Sequence, residues 1–268
     1  MPDSPETAPM SFDRYAPKYD RMATLNPAYQ ENIKSFRDFL SYAHLPEQSR
    51  VCDIGAGTGN YILAMSEIAP GSSFTHIDCD SKMNSIAQSK YENAGLQSVE
   101  IVEDYFQRVE IAAESYDLVV CVNALFAIQP YQVVLKKIEH ILKPGGAFFL
   151  IDFGRKQDVV DWGWYLFESI AKRFGYLKAS REVLKFMNVT RENMNTTKGQ
   201  ESGAYWLHST DEFMQALESS GLTVQKAEPC YRGYADLAYG VKPAAICVDF
   251  VEEAESEGAI EAALESRK

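Results

Sequence analysis

Long apolar runs are missing from this 268-residue chain. Nothing approaches the ~18 consecutive apolar residues that a membrane-crossing helix needs, so no span is expected. Cysteine is scarce, and its five positions (Cys52, Cys79, Cys121, Cys230, Cys247) are odd in number, scattered and free of any C-x-x-C pair. That excludes a disulfide framework and a zinc finger, suits a reducing cytosol, and makes a cytoplasmic location the expectation. No cluster of ligands suggests a metal, and none is expected. Basic residues are also few: 26 Lys and Arg stand against 38 Asp and Glu, for a net charge of −12. Such a balance argues against neutralising the phosphates of DNA or RNA. Residues 1–10 carry two acids and three prolines where a secretory signal would be basic and then apolar. No internal repeat is present.

What remains is an ordinary globular composition, 46% hydrophobic and 24% charged. At roughly 150 residues per domain, the length fits one large domain, or a domain with a sizeable insertion. Residues 1–10 read as a frayed leader, and 11–42 as helical, broken at Pro17 and Pro27. Short apolar segments then alternate with helical ones. Strands are expected at 51–54, 73–78, 99–102, 116–122 and 147–153, and helices at 58–69, 81–93 and 130–142. A sharp turn is expected at Lys143-Pro144-Gly145-Gly146. This rhythm predicts an α/β fold, a doubly wound and mostly parallel sheet covered on both faces. Residues 155–208 interrupt it with nine aromatics, all three tryptophans and nine basic against six acidic residues. A last helix at 211–219, opened by Ser209 or Thr210, and strands at 222–227 and 234–241 follow. Residues 249–268, with seven acids and two bases, read as a solvated helical tail. The chain thus divides into a leader and helical cap (1–48), a core (49–154), a helical lid (155–208), a return to the core (209–243) and an acidic tail (244–268).

Glycines crowd the expected turn after the first strand, in Asp53-Ile54-Gly55-Ala56-Gly57-Thr58-Gly59. There the backbone can approach a ligand closely, and a helix N-terminus offers free N–H groups. A dinucleotide fingerprint would place its third glycine where Asn60 stands. Asp78 falls at the end of the second expected strand, where an acid can accept from both hydroxyls of a ribose. Asp104 follows the third strand and Asn123 the fourth. The strand ends of an open α/β sheet are where ligands bind.

Together these segments resemble the class I S-adenosylmethionine-dependent methyltransferases of the small-molecule type. The likeness runs from about Phe12 to Lys242. Asp53 to Gly59 resembles the family's first motif, and His76-Ile77-Asp78-Cys79-Asp80 its acidic second strand. Glu103-Asp104-Tyr105 is similar to the segment beside the adenine, and Tyr116-Asp117-Leu118-Val119-Val120 to the fourth strand. Leu142 to Gly146 matches the turn before strand five. The stretch Phe12-Asp13-Arg14-Tyr15-Ala16-Pro17-Lys18-Tyr19-Asp20 looks like the family's N-terminal cap. The resemblance implies a seven-stranded sheet and S-adenosyl-L-methionine as cofactor. In that picture Gly55, Ala56 and Gly57 pass the methionine part, with Tyr19 and Asp53 nearby. Asp78 holds the ribose, Cys79 and Met83 lie beside it, Asp104 and Tyr105 flank the adenine, and Asn123 lies near the transferable methyl. No Asn-Pro-Pro-Tyr-type tetrapeptide follows strand four, which lowers amino groups of nucleobases and glutamine as acceptors.

A sulfonium is already an activated leaving group, so positioning and a dry site can carry much of the catalysis. Tyr15, Tyr19 and His208 are candidate proton acceptors. His208 has the plainer alternative of bonding backbone at a helix start, and the tyrosines that of core packing. Trp162, Trp164, Tyr165, Trp206 and His208 are candidate acceptor-binding residues of the lid, although Trp162 and Trp164 cannot share a helix face. The lid's aromatics read first as packing residues over the C-terminal edge of the sheet and secondarily as a cage for a methylated cation, while its basic excess points the other way, to an anionic or lipid-associated substrate. The expected function is methyl transfer to a small molecule at O, N, S or C. The rivals are an NAD(P)-linked oxidoreductase and a non-catalytic cofactor-binding regulatory protein. A homodimer is an assembly open to the chain.

Overall fold

The computed structural model describes residues 16–186, 199 and 202–244. Tyr15, the expected leader, the acidic tail and residues 187–198 and 200–201 of the lid lie outside the described residues. Asn26 caps the second helix through its side chain, and Pro27 sits in the first turn, where its missing N–H costs nothing. The cap is therefore two helices, α1 (Ala16–Leu25) and α2 (Pro27–Tyr42).

The core runs β1 (Arg50–Ile54), α3 (Asn60–Ser66), β2 (Ser73–Ile77), α4 (Ser81–Asn93), β3 (Val99–Val102), β4 (Tyr116–Val122), α5 (Tyr131–Ile141) and β5 (Leu142–Asp152). After it come α6 (Val159–Phe174), α7 (Tyr176–Phe186), α8 (Thr210–Ser219), β6 (Thr223–Cys230) and β7 (Ala235–Val241). These strands form a seven-stranded sheet in the order β3-β2-β1-β4-β5-β7-β6. β1 to β5 pair in parallel, and β7 runs antiparallel between β5 and β6. The expected doubly wound sheet is present.

Successive side chains of the central strands enter opposite cores, which is why those strands read as unbroken apolar runs. Val51, Leu118, Val120, Phe149 and Ile151 pack with α2, α3 and α4, around Phe36, Phe39, Tyr61 and Tyr91. Cys52, Val119, Cys121, Phe148 and Leu150 pack with α5 and α8, around Leu135, Ile138, Phe213 and Leu217. On the first side Phe36 and Phe149 meet edge to face at 4.9 Å.

Three expectations need correction. The helix after the glycines begins at Asn60, not at 58, because Gly57 and Gly59 are both left-handed (φ 56° and 76°) and cannot form a helical turn. Residues 143–146 are not a free turn: Gly145 N–H donates to the Lys242 carbonyl at 2.9 Å and Lys242 N–H to that of Gly146 at 2.8 Å, so this stretch belongs to β5. The strand expected to stop at 227 continues through Pro229, which an edge strand tolerates because its outward N–H has no partner to lose.

Candidate active site

The site is built on the C-terminal ends of β1, β2 and β4. The chain leaves β1 through Gly55 and Ala56, whose N–H groups both donate to the Ile77 carbonyl, at 2.8 and 3.2 Å. Gly57 N–H turns the other way and donates to Asp78 Oδ2 at 2.8 Å. A Cβ on Gly57 would meet nothing within 4 Å, so this glycine faces open space. A Cβ on Gly59 would sit 2.1 Å from the Tyr91 hydroxyl, so that glycine serves packing instead.

Asp78 is fixed from both sides, since its Oδ1 accepts from Asp80 N–H at 2.9 Å. Behind it Asn84 donates to the Asp78 carbonyl at 3.0 Å and to Glu103 Oε2 at 3.1 Å. His76 holds Asn84 Oδ1 at 2.9 Å through Nε2, and the Tyr91 hydroxyl at 2.8 Å through Nδ1. Burial pulls the His76 ring down to about 4, so it is a neutral hydrogen-bonding strut. Asp53 is buried, and its Oδ2 has no partner among the described residues. Burial, reinforced by the Asp78 charge, holds its carboxyl well above the usual range. Burial also raises Asp78, against the hydrogen bonds it accepts from Asp80 and Gly57.

Helix α1 is anchored over this acid pair. Asp20 accepts from Thr58 Oγ1 at 2.6 Å, from Asn60 at 3.2 Å and from Lys90 Nζ at 3.0 Å. Asn60 donates further to the Tyr29 hydroxyl (2.9 Å) and accepts from Lys90 (2.6 Å). The residue in the third-glycine place thus works as a tether for the cap, not as a close-packed dinucleotide contact. Tyr19, half-buried on α1, stands edge to face with Tyr29 at 6.2 Å, and loss of solvent pushes its phenol up to about 12.

At the other end of the cleft Asn123 is left-handed (φ 57°), with its N–H held by the Ile151 carbonyl at 2.7 Å. Its Nδ2 donates to the Tyr231 hydroxyl at 3.1 Å, and its Oδ1 is buried without a partner among the described residues. Tyr231 lies in a single 3-10 turn (Tyr231–Gly233) between β6 and β7. Tyr231 and Arg232 are consecutive left-handed non-glycine residues (φ 45° and 59°). Conformations of this kind cost about 1–3 kcal/mol each, so the surroundings must hold them. Phe153 (5.2 Å), Trp162 (6.2 Å) and Tyr29 (6.5 Å) pack around the Tyr231 ring. Arg232 pairs with Asp161 and lies 4.5 Å over the Tyr165 ring, which docks α6 against the turn. Burial holds the Tyr231 phenol well above its ordinary value, so the hydroxyl stays neutral.

The adjacent ends of β1, β2 and β4 bring Asp53, Gly55, Ala56, Gly57, Asp78 and Asn123 together, and Tyr19 packs with Ala16 and the buried Met83 under α1. Cys79 is exposed. Asp104 accepts from the Tyr105 N–H at 2.7 Å, and Tyr105 is partly exposed beneath Arg108. The candidate lid residues separate. Trp162 and Tyr165 join the Tyr231 cluster. Trp164 turns outward and is exposed. Trp206 lies flat on Tyr131 of α5, with centroids 3.8 Å apart. His208 is not at the cleft surface: its side chain is wholly buried, with Nε2 3.3 Å from Asp152 and Nδ1 3.3 Å from Asp236. Burial opposes its charge, but hydrogen bonds and charges from both carboxylates prevail and push it up to about 9. With Arg155 also on Asp236, His208 clamps the end of the lid to β5 and β7. Asp20, Tyr29, Lys90 and Tyr231 are not legible in the sequence, because the hydrogen-bond partners that place them at the site lie 30 to 108 residues away.

Residues 51–146 match the model of a family described as a methyltransferase domain. This segment runs from β1 to the start of β5, and the sheet order and glycine turn around it are similar to those of the class I S-adenosylmethionine-dependent methyltransferases. A demethylmenaquinone methyltransferase of Listeria welshimeri is 26% identical over 142 residues, 53% of this chain, and the match spans 60% of that protein's length. Its counterpart in Geobacillus stearothermophilus is 23% identical over 239 residues, 86% of this chain and 94% of that one. In fold, the chain resembles the crystal structure of a SAM-dependent methyltransferase from Aquifex aeolicus, with a TM-score of 0.56 at 16% identity over 85% of this chain and 98% of that one. The cleft fits the family's cofactor on its own evidence. A buried, unpartnered carboxyl oxygen on Asp53 suits a cationic group, Gly57 leaves room beside it, and Asp78 retains acceptor capacity for a diol.

Proposed function

We propose that the protein transfers the methyl group of S-adenosyl-L-methionine to a small, apolar aromatic acceptor held between the α1 cap and the Tyr231 turn. The observation that carries this reading is a pair of buried oxygens without a partner among the described residues at neighbouring strand ends: Asp53 Oδ2 beside the glycine turn that Asp78 holds, and Asn123 Oδ1 beyond β4, where Asn123 meets Tyr231. Asp53 and the Gly57 turn would take the amino-acid end of the cofactor, Asp78 the ribose, and Asp104 with Tyr105 the adenine. When bound, the cofactor supplies a methyl group on an already activated sulfonium leaving group. The chain's own work is orientation and exclusion of water. Tyr19, Tyr29, Trp162 and Phe153 wall the cleft, and Asn123 and Tyr231 supply its polar contacts at the acceptor end. The relatives' name, demethylmenaquinone methyltransferase, supports an aromatic acceptor.

Incubating the purified protein with methyl-labelled cofactor and separate panels of quinols, phenols, amines, thiols and carboxylates tests this. Label is expected in the quinol or phenol panel, and to fall with Asp78→Ala when the cofactor is limiting. Tight cofactor binding without transfer to any panel would make the protein a non-catalytic binder. Binding of NADH alone would overturn the family's chemistry for this chain.

A further inference from the structure

The α6–α7 hairpin carries an apolar surface that the described residues leave uncovered. Val160 (70% exposed), Trp164 (64%), Tyr176 (75%), Leu177 (81%) and Leu184 (64%) all face solvent. They are not scattered: Phe167 bridges the rings of Trp164 and Tyr176, at 6.0 and 6.2 Å. Between 169 and 186 the chain has five basic residues, Lys172, Arg173, Lys178, Arg181 and Lys185, all exposed. The single acid in that stretch, Glu182, is buried and paired with Arg21. In a chain of net charge −12 this is a local reversal of sign.

We propose that this face docks the protein reversibly on an anionic lipid surface. Ring-bearing residues with a polar edge, such as Trp164 and Tyr176, prefer the headgroup level of a bilayer. Lysine and arginine stems lie along apolar surface while their charged ends reach lipid phosphates. A second copy is the poorer occupant, because joining two such faces would set one basic excess against another, even with Glu168 beside Lys172 and Glu182 beside Lys185. The acidic remainder of the protein is repelled by an anionic surface, so the hairpin is presented first. The docking holds whatever acceptor the cleft takes.

The test is co-sedimentation of the full chain with vesicles of phosphatidylcholine alone, or mixed with phosphatidylserine. Binding to the mixed vesicles is expected to exceed that to the neutral ones by roughly tenfold or more, and to weaken as salt is raised. Lys178→Glu with Arg181→Glu, and separately Tyr176→Ser with Leu177→Ser, should each lower binding about tenfold. Unchanged cofactor affinity and thermal unfolding serve as controls of the fold. Equal binding to both vesicle types, or indifference to both pairs of substitutions, overturns the proposal. So does concentration-dependent dimerisation that Leu177→Ser abolishes in a protein that ignores vesicles, which would assign the face to a second copy.

Discussion

Asn123 donates a 3.1 Å hydrogen bond to the hydroxyl of Tyr231, 108 residues further along the chain. The left-handed backbone at both residues aims the pair, one from the end of β4 and the other from the β6–β7 turn. The Tyr231 hydroxyl is buried and neutral, so it orients and donates and does not act as a base. Tyr231→Phe is therefore expected to lower kcat/KM for the acceptor roughly ten- to hundredfold, the scale of one hydrogen bond in a dry site. The cofactor Kd should stay within about twofold. A new or lost limb in the pH–rate profile of this variant would show that the hydroxyl titrates after all.

Asp78 makes its case at the opposite end of the cleft. Replacing it with Ala should weaken cofactor binding by about 1.5–3 kcal/mol, roughly ten- to 150-fold, as for hydrogen bonds to a charged group. Calorimetry reads this directly. Because Asp78 also holds Gly57 N–H and Asp80 N–H, thermal unfolding should show a small accompanying loss of stability.

The two glycines flanking Thr58 should fail differently. Gly57→Ala has room for its Cβ, so it should fold with a penalty of about 1–2 kcal/mol for a left-handed L-residue while losing most cofactor affinity. Gly59→Ala would collide with the Tyr91 hydroxyl and disturb the His76 hydrogen bond, so it should lose stability first. Chemical denaturation alongside cofactor titration separates the two. Equal stability losses in both variants would refute the distinction.

His208 predicts a pH dependence of folding. Its value rises from 6.5 to about 9 on folding, so its stabilisation is complete below 6.5 and fades as pH passes through about 9. The full contribution is roughly 3 kcal/mol. The gap in urea stability between the native chain and His208→Gln should be wide at about pH 6 and narrow at about pH 10. A gap independent of pH would mean that the ring is neutral between Asp152 and Asp236.

Short unbroken apolar runs such as β4 and β5, alternating with helical segments, and the glycines at the end of β1 made the parallel sheet readable from local order, because strand length and burial on both faces follow from neighbours in sequence. The acids after successive strands were readable for the same reason: Asp53, Asp78 and Asp104 sit where the strands themselves end. Tertiary structure alone decided the acceptor end. Tyr231 reaches Asn123 only because β7 runs antiparallel beside β5 and its hairpin turn is bent left-handed. His208 and Trp164, both plausible over the cleft from their place in the chain, separate into a buried clamp and an outer surface. A helix's position says which strand ends it lies near; the direction of each side chain depends on what packs beneath it. The Asp152 and Asp236 charges draw His208 inward, and among the described residues nothing covers Trp164.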